Sequence, residues 1–174
     1  MVSRLHFRSM LFVACVCLTL GGCKSDMEIS HGFGAGVTFE GSGETFAWIA
    51  GVDRDTGNAY LDNPSLRNFV RQTIEDGFVS RGYSKVRSDP DFLVEYSLDH
   101  KRKLENYTGA SFTEYDQGSL VVTVRSPESN EVVWWGGATA QLEATDTPAQ
   151  RRKRIEQAVD EMMQYVPQRP VAGG

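Results

Sequence analysis

Apolar positions along the chain recur at two different spacings, and the changes of spacing mark out its elements. Leu66, Phe69, Val70, Thr73, Ile74, Gly77 and Phe78 fall three and four residues apart, which puts them on one face of a helix. Asn63-Pro64 opens that helix, because Asn can cap free amides and Pro suits the first helical position. Gly82 closes it by taking the left-handed conformation. Gly77, costing about 1 kcal/mol of helix stability relative to Ala, implies close packing against the sheet. A second helix opens at Thr147-Pro148 with a face of Ile155, Ala158, Val159, Met162 and Val166, and Pro167 ends it.

Elsewhere the period is two. Glu44–Ala50 is apolar and aromatic, with Phe46 and Trp48 on one face. Phe92, Val94, Tyr96 and Leu98 alternate with Leu93, Glu95 and Ser97. Ser119–Arg125 and Glu131–Ala140 are two further strands, and Ser126–Asn130 supplies the turn of their hairpin. Asp53–Asn63 carries turn chemistry, and so does Ser88–Pro90. His100–Gln117 is polar and irregular: either a long hairpin loop or an extension of its neighbouring strands. The order strand-helix-strand-strand-strand-helix predicts an α+β fold. It would be a mainly antiparallel sheet of about four to five strands with two helices packed on one face.

The N-terminal segment follows neither period. Arg4 and Arg8 precede an unbroken apolar run from Met10 to Leu20, the length of a signal-peptide h-region and too short for a membrane-spanning helix. Leu20-Gly21-Gly22-Cys23 follows at once. It resembles the lipobox of bacterial lipoproteins, which implies cleavage between Gly22 and Cys23 and covalent diacylglycerol and N-acyl lipid on Cys23. No other cofactor is expected. The organisation predicted is a signal peptide over 1–22, a lipidated Cys23 with a glycine-rich tether over 23–43, a single domain over 44–167 and a disordered tail over 168–174. Lys24 at the second mature position, by analogy with the enterobacterial sorting rule, favours the outer membrane over the inner.

Charge narrows the partners. Of the 18 Lys and Arg, two lie in the signal, so the mature chain keeps 16 against 23 acidic residues, a formal −7. That gives no support for nucleic-acid binding. Cys15 and Cys17 leave with the signal and Cys23 takes lipid, so no thiol remains for catalysis or metal. His31 falls in the predicted tether and His100 beside Lys101-Arg102-Lys103; both read as solvated surface residues. Asp53-Arg54-Asp55-Thr56-Gly57-Asn58 starts like a calcium loop, but Pro64 stands where the bidentate Glu belongs.

The order of several short motifs is similar to one family. Phe46-x-Trp48, Gly82-Tyr83, Asp89-Pro90-Asp91-Phe92-Leu93-Val94, Gly118-Ser119-Leu120-Val121 and Val133-Trp134-x-Gly136 resemble those of bacterial envelope lipoproteins known as domain of unknown function 4136. The resemblance covers roughly Phe39 to Pro167. It implies a lipid-anchored α+β domain and brings no established activity. Trp135 departs from it, standing where a polar or basic residue is expected.

Function is expected to be a non-catalytic interaction or accessory module, anchored through Cys23 and facing the periplasm, with an envelope protein as candidate partner. The candidate contact surface is Trp135, on the sheet face opposite Trp134, together with Arg151, Arg152, Lys153 and Arg154. That basic run reads first as a solvated face near Glu156 and Asp160. Contact with anionic headgroups or an acidic partner is the alternative. The rival to a non-catalytic module is a small-ligand-binding or hydrolytic domain using acidic residues near Asp89, Asp91 and Asp99.

Overall fold

The computed structural model describes residues 27–34, 39, 43–50, 56–58, 61–107, 111–143 and 145–169. Six strands and two helices follow in the order β1 (Met27–Phe33), β2 (Thr45–Trp48), α1 (Pro64–Ser80), β3 (Ser84–Lys85), β4 (Phe92–Tyr107), β5 (Ser111–Arg125), β6 (Val132–Leu142) and α2 (Pro148–Met163). They build one mixed sheet of order β1-β6-β5-β4-β2-β3. β1, β6, β5 and β4 pair antiparallel, while β2 runs parallel to β4 and β3. The expected α+β class therefore holds.

Helix ends form where their cap chemistry predicts. Asn63 accepts a bond from Ser65 N at 2.8 Å ahead of Pro64. Thr147 and Gln150 make a reciprocal capping box ahead of Pro148. At the end of α1, Gly82 sits at φ +89°. Tyr83 N donates to Phe78 O and Gly82 N to Val79 O, the paired bonds of a Schellman motif.

The core lies between one face of the sheet and the two helices. α1 contributes Leu66, Val70, Ile74 and Phe78; α2 contributes Ala158, Val159, Met162 and Met163. From the sheet come Phe46, Phe92, Val94, Tyr96, Leu120, Val122, Val124 and Trp134. Phe46, Phe78, Tyr83 and Phe92 pack ring against ring at centroid distances of 5.3–6.1 Å. Gly77 is tightly packed as expected, but against the other helix rather than the sheet: a Cβ there would lie 2.8 Å from Met163 Cγ.

Two expectations about the chain ends are corrected. Met27–Phe33, read as tether, is edge strand β1, paired along its whole length with Ala140–Trp134 of β6. Its glycines suggested slack, yet they permit close approach. A Cβ at Gly32 would lie 2.7 Å from Trp135 Nε1, and one at Gly34 would strike the Val132 carbonyl. Phe39, also within the predicted tether, is a core residue. At the other end Arg169, read as frayed tail, is held: its N donates to Arg81 O and its guanidinium reaches Gly43 O and Glu44. The strand count rises to six because β1 and the two-residue β3 join the sheet. His100–Gln117 extends β4 and β5 into a long paired ribbon.

Candidate functional site

The three carboxylates of the rival reading do not meet. Asp89 sits at φ +51° in the turn before β4. Asp91 Oδ2 accepts from Thr45 Oγ1 at 2.7 Å, Glu44 N at 2.7 Å and Thr45 N at 2.9 Å. The Thr45 hydroxyl, followed by the two amides, holds the Asp91 carboxyl below its ordinary value. That makes Asp91 a strand anchor across the parallel β2–β4 junction. Asp99 lies eight residues further along the extended β4, roughly 26 Å away at the rise of a strand, and pairs with Lys101 at 3.4 Å.

In the loop before α1, Asp62 takes the amides of Thr56 and Gly57 and the guanidinium of Arg67. The Thr56 amide leads the causes that lower its carboxyl. That loop is a turn closed by its own side chains. His31 lies in β1 and stacks on Tyr165 with ring centroids 3.7 Å apart. His100 Nε2 lies 3.1 Å from Asp116 Oδ1 across the ribbon. Among the described residues no group of three His, Cys, Asp or Glu is placed to hold a metal. Among them no helix is long and apolar enough to cross a membrane. Cys23 and Gly22 lie outside the described residues.

The two tryptophans separate as their strand positions require. Trp134 is fully buried beneath α2. Trp135 is half-buried on the opposite face, where its indole lies over Gly32. Thr123 stands opposite it on β5. The neighbourhood is small and polar rather than aromatic, and no described element covers it.

The basic run divides by helix position. Arg154 donates to Gln141 O at 2.6 Å and pairs with Asp146 at 3.3 Å. The Arg152 guanidinium stands 5.3 Å from the centre of the Phe69 ring on α1. Lys153 is exposed, and Arg151 faces a cleft. That cleft, of about 90 Å³, opens where α2, the sheet and the start of α1 meet. Its walls are aliphatic, with Met27, Leu66, Leu98, Leu142 and Ile155 prominent. Asp99, Asp146, Arg151 and Arg154 form its polar rim. Leu98 and Ile155 were legible as the ends of apolar faces. That they stay partly uncovered depends on how far the helices reach along the sheet, which no periodicity reports.

The fold thus defines a small α+β domain with one helical layer and an apolar cleft at one end of its sheet. The chain belongs to the family described as Domain of unknown function (DUF4136), which it matches over residues 30–168. No curated protein matches the sequence. Among solved structures it is similar to a PDZ domain protein from Parabacteroides distasonis, at 15% identity and TM-score 0.54. That match covers 81% of this chain but 37% of the other, so this chain spans little more than a third of that protein. A PelC dodecamer from Paraburkholderia phytofirmans is similar at 10% identity and TM-score 0.50, covering 83% of this chain and 99% of that one. A minor lipoprotein from Acinetobacter baumannii is similar at 11% identity and TM-score 0.38, covering 71% and 88%. At these identities the likeness concerns the fold.

Proposed function

We propose that this protein is a lipid-anchored envelope protein, carried on the periplasmic face of the outer membrane, that acts there as a non-catalytic interaction module. The reading rests on the order of the N-terminal features: positive charge, apolar run, small residues, Cys23, and then strand β1 only four residues later. Such a chain is delivered to a membrane surface and folds against it. Lys24 favours the outer membrane. The fold supports a surface role because its wet sheet face and its cleft both lie open. The test is metabolic labelling of cells with an alkyne-tagged fatty acid, comparing wild type with Cys23→Ala and fractionating the membranes. Cys23-dependent label in the outer-membrane fraction supports the reading. Label that is absent, or unchanged in the variant, overturns it.

A further inference from the structure

The aliphatic cleft opens at the end of the sheet where β1 begins. Met27, the first residue of β1, lines it. Met27 pairs with Ala140 on β6 and Ala140 with Gly118 on β5, and both of these also line it. Leu142 lies across Gly118, where a Cβ would come within 2.9 Å of Leu142 Cδ2. Ile155 of α2 and Leu66 of α1 close the other side. The charged groups of the rim are already engaged. Asp146 pairs with Arg154 at 3.3 Å, Asp99 pairs with Lys101 at 3.4 Å, and Arg151 has a partner within the protein. Three residues separate Met27 from Cys23. Even fully extended, that stretch puts the Cys23 backbone no more than about 14 Å from Met27.

We propose that this cleft takes up a short stretch of one acyl chain of the lipid on Cys23 of the same molecule. The proposal deepens the anchored reading and rests on it, since without that lipid there is no occupant. The chemistry of the rim fits this lipid. A thioether-linked diacylglycerol on an N-acylated cysteine carries neither phosphate nor charge, and the rim has no charge to spare for a headgroup or an acidic peptide. The length of the tether selects the molecule's own lipid. A linker this short keeps the chain near the cleft at an effective concentration on the order of millimolar.

The same short tether holds the cleft end of the domain against the bilayer. Aliphatic walls that would otherwise face water gain by being covered. Lipid tails are as apolar as leucine side chains, so a stretch of chain passing from bilayer to cleft gives up little. A cleft of about 90 Å³ is smaller than the ~150 Å³ apolar cavity that takes up benzene. It covers a few carbons, and the rest of the chain stays in the membrane. The lipid then holds the domain at two points, its cysteine and its cleft, and so fixes which end faces the bilayer.

The full-length protein in living cells fed an alkyne-tagged fatty acid is the material for the test. Benzoylphenylalanine replaces Leu142 in the cleft or, as a control, Glu128 in the β5–β6 turn at the far end of the sheet. Leu142 ends β6 and is partly exposed, so its replacement leaves the core intact. Light should give, at 142, a product of monomer mass in which proteolysis finds the residue-142 peptide joined to the Cys23 lipopeptide, and none at 128. Inserting about twelve Gly and Ser residues between Ser25 and Asp26 leaves the domain untouched and should lower that yield several-fold. A product of twice the monomer mass would put another copy's lipid in the cleft. A residue-142 peptide carrying a phospholipid would put a bilayer lipid there, and an adduct with another protein would mean a protein partner. Any of these in place of the Cys23 product overturns the proposal, as does equal yield at 128, a yield that the insertion leaves unchanged, or no product at 142. The tag on Cys23 separates the two readings. Its absence breaks both, whereas its presence without the product joining Cys23 to residue 142 breaks the cleft assignment alone.

Discussion

The indole of Trp134 closes over Gly136, two residues further along the same face of β6. A Cβ at position 136 would lie 2.6 Å from Trp134 Cη2 and 3.3 Å from Met162 Cβ. Trp134 is completely buried, so its ring has nowhere to retreat. Overpacking of this kind costs about 1–3 kcal/mol, offset by roughly 0.5–1 kcal/mol from removing a strand glycine. Gly136→Ala should therefore lower stability by about 1–2 kcal/mol. Urea unfolding would check it, and an unchanged midpoint would mean that the ring has a second position.

Gly32→Ala poses the same question on the other face of the sheet. The new Cβ would lie 2.7 Å from Trp135 Nε1, but Trp135 borders solvent and can swing away. A loss of no more than about 0.5 kcal/mol is expected, as for surface changes generally. A loss equal to that of Gly136→Ala would show that the Trp135 ring is clamped.

Asp91 ties acid stability to the β2–β4 junction. Its carboxyl is held below the ordinary value by the Thr45 hydroxyl and by two amides. The stabilisation is then fully present above the unfolded value of about 3.9 and lost as pH falls through the lower folded one. At neutral pH Asp91→Asn should cost on the order of 1 kcal/mol, the exposed position keeping the loss small. Thermal melts between neutral and acid pH should show the gap between wild type and variant closing below the unfolded value. A gap that stays constant would refute the role given to the charge.

Tyr83 is the opposite case. Its ring sits in the aromatic cluster and its hydroxyl donates to Pro167 O at 3.0 Å, tying the end of α1 to the segment after α2. Burial pushes the phenol up, against the pull of Arg169 and Arg81. A raised folded value gives stability that is present below the unfolded value of about 10 and lost as pH rises through the folded one. Tyr83→Phe keeps the ring and removes the bond, at about 1 kcal/mol. Alkaline melts should bring the two proteins together.

Thr147→Ala removes one half of the capping box that starts α2. A loss of about 1 kcal/mol is expected. Amide exchange should rise first at Arg151 and its neighbours, where the cleft rim is built. Exchange confined to the other end of α2 would contradict this.

Much of this architecture was legible because local chemistry agreed with the fold. Asn63-Pro64 and Thr147-Pro148 started helices, Gly82 ended one, and Ser126–Asn130 turned a hairpin. Asn130 adopts φ +57° there. β1 was hidden because Gly32 and the adjoining Gly34 serve Trp135 and the Val132 carbonyl, partners about a hundred residues away in the chain. The outer parts of β4 and β5 were hidden because consecutive residues such as Lys101 to Leu104 are exposed on both faces of the ribbon. Cross-strand pairs such as Arg102–Glu114 at 3.2 Å line them instead of alternating apolar residues. Of the surface residues singled out beforehand, Arg151 and Arg154 proved to border one cleft, while Trp135 stands on the opposite face. The cleft itself is a residue of incomplete coverage, and coverage is a property of three elements together.

β1 is the first of the described strands, and among them it pairs with β6 alone, the last strand in the chain. A chain made from its N-terminus therefore holds β1 without a partner until residue 132 has followed it. Under the anchored reading proposed above, Cys23 would be processed while the segment behind it is still unpaired, and three residues would then separate the lipid from the finished sheet. Topology would set the sequence of events: processing first, and a short tether only when the last strand arrives.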